Sequence, residues 1–286
     1  MIRAFLVALG GLWLASCSPL ERESEWPDAS PPIWEITGED GQQGWLFGTV
    51  HALPDEVYWG THLLDDTFEN AGVLVVEVAD LDASGGQALI ADLSATPGQP
   101  PLLQRVEPSE REVVEQLVAD ADMHDRDFSE TETWAAALML SGAVRIGDPA
   151  NGVDRELIAA ADEVIGLEGF AAQLVMFDRL SEEAQSDLLH NVARAHAANS
   201  ENGMLRAWLS GDDAALDAQI NAAMADSPEL RRILLTDRNR AWTRQIAQLI
   251  EQGRRPFVAV GAGHTVGNDG VVAMLRESGF TVERIQ

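Results

Sequence analysis

Lysine is absent from the 286 residues, and cysteine occurs once, at Cys17. All nineteen basic residues are arginines, set against 47 carboxylates, and the formal net charge is −28. Nucleic acid is excluded as a partner by this shortage of positive charge, because binding it depends on neutralising phosphates with Lys and Arg. A flat electrostatic hold on anionic lipid is disfavoured for the same reason. A lone cysteine forms no intramolecular disulfide and cannot supply a Cys-rich zinc motif. No GxSxG nucleophile elbow, no HExxH pair and no short-period repeat is present. A hydrophobic content of 46% is ordinary for a globular chain, and the length suffices to bury a substantial core.

The first seventeen residues, MIRAFLVALGGLWLASC, carry one arginine, a short apolar run and small residues before the cysteine. The run is too short and too early for a comfortable membrane span. Leu14-Ala15-Ser16-Cys17 resembles the bacterial lipoprotein signal, which implies cleavage before Cys17 and lipidation of that residue. Residues 1–16 are then a signal peptide, and multiple acyl chains would attach the protein to a membrane, each buried methylene adding about 0.8 kcal/mol. Ser18 after the cysteine favours, by the same resemblance, the outer membrane facing the periplasm. Residues 17–32 are polar, acidic and proline-bearing and read as a flexible tether, with a single folded domain over 33–286.

Within that domain one figure occurs twice. Trp45–His51, WLFGTVH, and Pro256–His264, PFVAVGAGH, are apolar runs that end in Gly-x-x-His. Each leads into a helical pattern and then a second apolar run, Val73–Val78 and Phe280–Ile285. Residues 33–37 and 44–50 read as a strand pair, and Val164–Glu168 as a further strand. Between the two units lies a long helical middle, with breaks expected near Ser200–Gly203, Gly211 and Ser227-Pro228. The expected fold is α/β (α+β). It has a central sheet flanked by helices and two pseudo-symmetric halves, each a strand–GxxH–helix–strand unit. Trp208 and Trp242 are expected in the core.

A glycine three residues before each histidine lets the chain leave its strand and lets other groups approach closely. His51 and His264 would then stand in the crevice beyond the strands' carboxyl ends, where open α/β sheets bind ligands. Two strand-end carboxylates, Glu77 and Glu168, can converge there. Glu77 interrupts the apolar run VLVVEV, and a buried carboxylate needs a partner. That partner is either a metal ion or an arginine, for which Arg238 is the candidate. Imidazole plus carboxylate suits Mn, Co or Zn with positions left for water, and such a water is a hydrolytic nucleophile. His62, His124, His190 and His196 lack a companion pattern and read as surface or satisfied histidines. The loop GAGHTVG resembles a dinucleotide loop, but only 19 residues follow Gly267, too few for the strands and helices a nucleotide fold needs.

Several segments together resemble the TraB/PrgY/GumN family, which includes the Tiki-type membrane proteases. They are Phe47–Pro54, Val75–Glu77, Gly152–Asp154, Ile165–Glu168, Phe177–Glu183, Asp237–Asn239 and Val260–His264. The resemblance runs in order from about residue 33 to the end, and the GumN-like bacterial branch fits best. It implies a fold shared with erythromycin-esterase-like and haem-binding ChaN-like proteins. It also implies metal-dependent proteolysis in the Tiki branch, which carries over to His51, His264 and Glu77 as metal-holding residues. Glu168, Arg238 and Asn239 match further recurrent positions, and Gly169 stands where members often have Thr or Ser. The expected activity is that of a lipid-anchored metal-dependent hydrolase acting on a peptide or protein. Glu77, Glu168 and Arg238 would be its catalytic groups. The alternative is a non-catalytic lipoprotein that binds haem, metal or peptide.

Overall fold

A computed structural model describes residues 26–80 and 86–286. The signal peptide, the lipidation site Cys17 and the first part of the tether lie outside the described residues. Of the expected tether, residues 26–32 already lie against the domain. The Ser30 N–H donates to Leu209 O at 2.7 Å, and Trp26 packs on the core beneath the Arg206 guanidinium.

The strands are β1 (Ile33–Thr37), β2 (Gln43–Thr49), β3 (Val73–Val76), β4 (Val164–Gly166), β5 (Pro256–Gly261) and β6 (Thr281–Arg284). The helices before the second half of the chain are α1 (His62–Glu69), α2 (Gly86–Ser94), α3 (Arg111–Asp120), α4 (Thr133–Ala143), α5 (Val153–Ala160) and α6 (Phe170–Asp178). There follow α7 (Glu182–Ala197), α8 (Ser200–Leu209), α9 (Asp213–Met224), α10 (Pro228–Arg231), α11 (Asp237–Glu251) and α12 (Val271–Glu277). Thr61, Ser181 and Asp212 open their helices by accepting backbone N–H bonds with their side chains, which meets donors the first turn leaves unpaired.

All six strands form one sheet in the order β4-β3-β5-β2-β1-β6. β4, β3, β5 and β2 are mutually parallel, and only β1 runs the other way. Alternate residues serve opposite faces, as the pleat requires. Trp45, Phe47, Leu74, Val76, Phe257 and Ala259 pack on one side, under α1, α5 and α8. Leu46, Val73, Val75, Val258 and Val260 pack on the other, under α11 and α12. This two-sided burial is why VLVV and FVAV are nearly continuous apolar runs.

The two related units interleave rather than sit side by side. The β2–α1–β3 connection crosses β5 in one direction, and β5–α12–β6 crosses β2 and β1 in the other. The neighbours β2 and β5 therefore form the point from which the chain departs both ways. The crevice outside their carboxyl ends is the place where such sheets bind ligands. Helices α3, α4 and α7 build a separate apolar cluster around Leu117, Phe128, Leu140 and Leu189. The break expected at Ser200–Gly203 falls earlier. Asn199 takes the left-handed conformation (φ 50°), and Gly203 sits inside α8, where Gln219 of α9 packs close. No helix among the described residues is long and apolar enough to cross a membrane.

Candidate functional site

The carboxyl ends of four parallel strands deliver four of the five residues expected at the site. Thr49, the last residue of β2, pairs with Gly261, the last of β5, so the two strands end level and their Gly-x-x-His exits are offset by one residue. Glu77 and Glu168 follow β3 and β4, and the Glu168 N–H donates to Glu77 O at 2.9 Å, carrying the pairing past the strand ends. The fifth, Arg238, comes from α11. Its guanidinium joins all but His51. It donates to Glu77 Oε2 (2.6 Å), to Glu168 Oε1 (2.6 Å) and to His264 Nε2 (3.0 Å). Gln173 of α6 donates to Glu168 Oε1 (2.7 Å) and, more loosely, to Glu77 Oε2 (3.4 Å).

Gly261 is the pivot. Its N–H donates to Glu77 Oε1 at 2.7 Å. A Cβ there would lie 3.1 Å from Glu77 Oε1, 3.5 Å from His51 Nε2 and 3.6 Å from His264 Cδ2. A side chain here would crowd Glu77 Oε1 and fill the space on which these three groups border.

Each imidazole is oriented from behind. His51 Nδ1 bonds Asp154 Oδ2 (2.7 Å), whose Oδ1 accepts the Thr49 hydroxyl (2.7 Å). Gly152 makes this possible: a Cβ at that position would meet His51 O at 2.5 Å, so only glycine lets the start of α5 approach β2. His264 Nδ1 bonds Asn239 Oδ1 (2.6 Å). Because Arg238 can only donate, His264 Nε2 accepts, and its proton sits on Nδ1.

The charge states follow. Burial first, then the Arg238 and His51 charges, push His264 down to about 4 against the pull of Glu77, so it is neutral at pH 7. His51 goes the other way. Its side chain is 67% exposed at the mouth of the crevice, and the protein packed around it would by itself lower its pKa. The hydrogen bond and charge of Asp154, with Glu77, outweigh that and raise it to about 9. Burial opposes ionisation of Glu77, yet His264 when charged, the Arg238 and His51 cations and the Gly261 N–H hold it at about 2. With His264 neutral, the direct Arg238 contact is the interaction that counts most.

Arg238 is itself held. It stacks over Trp242, one turn along α11, at 4.5 Å. Just before α11 the helix widens into a π turn over Arg232–Thr236, a feature common near functional sites. Asp269 clamps both ends of that turn, accepting from Arg231 (2.9 and 2.6 Å) and Thr236 (2.7 Å). The Asp269 carbonyl also accepts from the Asn239 amide (2.7 Å), which fixes which way Asn239 faces His264.

The cluster opens on two hollows. One, of about 500 Å³, is walled by Met176, Phe177, Met204, Leu205, Ile220 and Leu235. The other, of about 250 Å³, lies beside His51. A larger groove of about 1120 Å³, bordered by the 53–60 loop, α1 and α5, holds none of the five side chains.

The family can now be stated. A family model described as the TraB/PrgY/gumN family matches residues 32–284. The chain belongs to that family. An uncharacterized protein of Treponema pallidum (strain Nichols) is 22% identical over 269 residues, which cover 86% of this chain and 80% of the relative. No solved structure matches it.

In this TraB/PrgY/gumN member, His51, Glu77, Glu168, Arg238 and His264 all meet in one crevice. Among the described residues no three His or carboxylate side chains stand in coordination geometry, because Arg238 occupies the space between them. The donor types nevertheless suit a divalent ion. Two imidazoles have Nδ1 already engaged and Nε2 turned inward, and the carboxylate oxygen Glu77 Oε1 lies beside them. Binding at His264 Nε2 and the Arg238 hydrogen bond exclude each other. Trp208 and Trp242 are buried as expected, and the Trp208 Nε1–H donates to Gly48 O at 2.7 Å. His190 and His196 pair with Glu110 and Asp120 at 2.8 Å and line neither hollow beside the crevice.

Gln173 and Asp269 had no assigned role in the sequence. Asp154 and Asn239 fell in segments that carry the family resemblance, without the roles the structure gives them behind His51 and His264. Replacing Asp154 with asparagine turns an amide N–H toward His51 Nδ1 and forces that atom to accept. The His51 titration should then shift to lower pH, read by histidine NMR of the full chain. A titration left in place would show that Asp154 is not what holds the ring.

Proposed function

We propose that this protein is a metal-dependent hydrolase acting on peptides, with a divalent ion held by His51, His264 and Glu77. The observation that carries the reading is the closure of those three side chains around Gly261, each imidazole backed by its own partner. A bound Mn, Co or Zn ion would polarise a carbonyl and lower the pKa of a water. The chain's own residues supply the rest. Asp154 and Asn239 hold the rings by Nδ1 with Nε2 inward, and His51, protonated at neutral pH without the ion, would release its Nε2 proton to bind it. Arg238, once released from His264, keeps its contacts to Glu77 and Glu168 and offers a donor to a developing oxyanion. Glu168 serves as ligand or proton acceptor at the edge of the crevice. The adjacent apolar hollow, within the size range of ligand pockets, receives a substrate side chain. We further propose that Cys17 is lipidated and that the domain is anchored in the cell envelope, at the outer membrane facing the periplasm.

The test uses protein purified without chelators, elemental analysis and a peptide-library digest with and without added Mn, Co or Zn. His264→Ala is expected to abolish ion uptake and hydrolysis while the far-ultraviolet circular dichroism stays unchanged. Undiminished hydrolysis by that variant would end the proposal.

A second reading is favoured by one observation: Arg238 satisfies both carboxylates and His264 without any ion. In that case the crevice is closed and the apolar hollow binds haem or a peptide without cleaving it. A Soret band on haem addition, together with no cleavage in the digest, would select it.

A further inference from the structure

The two hollows share a seam, formed by His51, Glu77, Gln173 and Arg145. Among the described residues Arg145 is the arginine that borders both. It lies just beyond α4, is exposed, and makes no hydrogen bond or ion pair to any described residue. Glu201, which lines the larger hollow, instead accepts the Ile146 N–H at 3.2 Å. The other charged groups at the seam are already matched: His51 with Asp154, and Glu77 with Arg238. What sets Arg145 apart from the other arginines without an acid partner is its place on both hollows, beside His51 and Glu77. Arg145 stands where a ligand would bring such a partner.

The shapes of the hollows say which end of the ligand that is. The larger hollow, about 500 Å³, has room for more than one residue. The smaller, about 250 Å³, has room for one side chain; Val76, Val78 and Phe170 form its apolar wall, and Asp154 and Arg155 also line it. A guanidinium presents a planar fork that fits a carboxylate with two parallel hydrogen bonds. We propose that Arg145 binds the C-terminal carboxylate of a peptide whose last side chain enters the smaller hollow. The bond over His51 and Glu77 is then the last peptide bond. Its cleavage adds water across C–N: the hydroxyl joins the acyl carbon, and the proton goes to the leaving amine. The product is one free amino acid. Only this cleavage step rests on the hydrolase reading; the carboxylate site does not.

The test is equilibrium binding to the full chain by isothermal titration. Its probes are an N-acetylated tripeptide ending in leucine, as the free acid and as the C-terminal amide. The acid is expected to bind about tenfold more tightly, by a charge-assisted bond the amide cannot make. Arg145→Gln should remove that preference and leave the amide's affinity and the melting temperature unchanged. Equal affinities in the parent, a preference that survives Arg145→Gln, or no binding of either probe would each overturn the proposal. A cleavage arm separates the two ideas. Hydrolysis of acid and amide alike, or at internal bonds, overturns the terminal site and leaves the hydrolase reading standing. A clear acid preference with no cleavage of any peptide sinks the hydrolase reading and leaves the site.

Discussion

Arg238→Ala is expected to cost the metal-free protein about 3–5 kcal/mol, the penalty for breaking a buried ion pair from one side. Side-chain exposures of 13% for Arg238, 10% for Glu77 and 16% for Glu168 leave little water to take over its role. Two carboxylates would face each other across the vacated space, and the cheapest relief is for one to keep its proton. That gives the prediction a pH signature. In the parent, Glu77 sits at about 2 in the fold against 4.5 unfolded, so its contribution is complete above pH 4.5 and is lost as pH falls toward 2. Without Arg238 the native carboxyl is no longer held so low, so the variant should lose less stability on acidification than the parent does. Urea midpoints measured from pH 7 down to pH 3 read both effects. A midpoint within experimental error of the parent's at pH 7 would refute the claim that Arg238 is the counter-charge.

The same variant probes the ion. If Mn, Co or Zn binds among the residues Arg238 vacates, saturating metal replaces the missing positive charge. A concentration of about 100 times Kd would restore about 2.7 kcal/mol. Restoration points to one site that takes either a guanidinium or a metal ion. Destabilisation that no ion reverses leaves the ion pair intact as an idea and counts against the metal.

Much of this was readable before any fold was known, for a definite reason. His51, Glu77, Glu168 and His264 each follow an apolar strand run, and strands that are buried on both faces announce themselves. Residues just past such runs gather at one edge of the sheet when the strands are parallel, as two-sided burial implies. The rival explanation for Glu77, an arginine partner at Arg238, was also open to inspection and is what the geometry shows. What could not be read was the order itself. That β5 lies between β2 and β3 is decided by pairings between segments some two hundred residues apart, whereas the backward run of β1 follows from its short turn to β2. Gln173, and the bond that Asp154 makes to His51, were invisible for a related reason. Each meets its partner across about a hundred residues of chain, on helices whose periodicity marks only their apolar face. The expected metal cluster was half legible: the donors converge, but the arginine standing among them belongs to packing rather than to any spacing.

Glu77→Gln is expected to separate function from stability, the reverse of Arg238→Ala. The change is nearly isosteric. The amide oxygen can still accept the Gly261 N–H, and Arg238 keeps its bonds to Glu168. The loss in stability should stay near 1–3 kcal/mol, the cost of one donor set against another in a buried site. Ion binding and hydrolysis should suffer far more. An amide is a weak ligand beside a carboxylate. If the ion supplies about 4 kcal/mol of transition-state stabilisation, its loss lowers kcat/KM about a thousandfold. Cobalt absorption titration gives the affinity, and turnover of the best library peptide gives the rate. Gln at this position with wild-type affinity and turnover would show that the carboxylate inside VLVVEV exists to hold Arg238 and nothing else. A collapse of both at nearly parental stability would show that the acid is there for the ion, and that Arg238 only keeps its place.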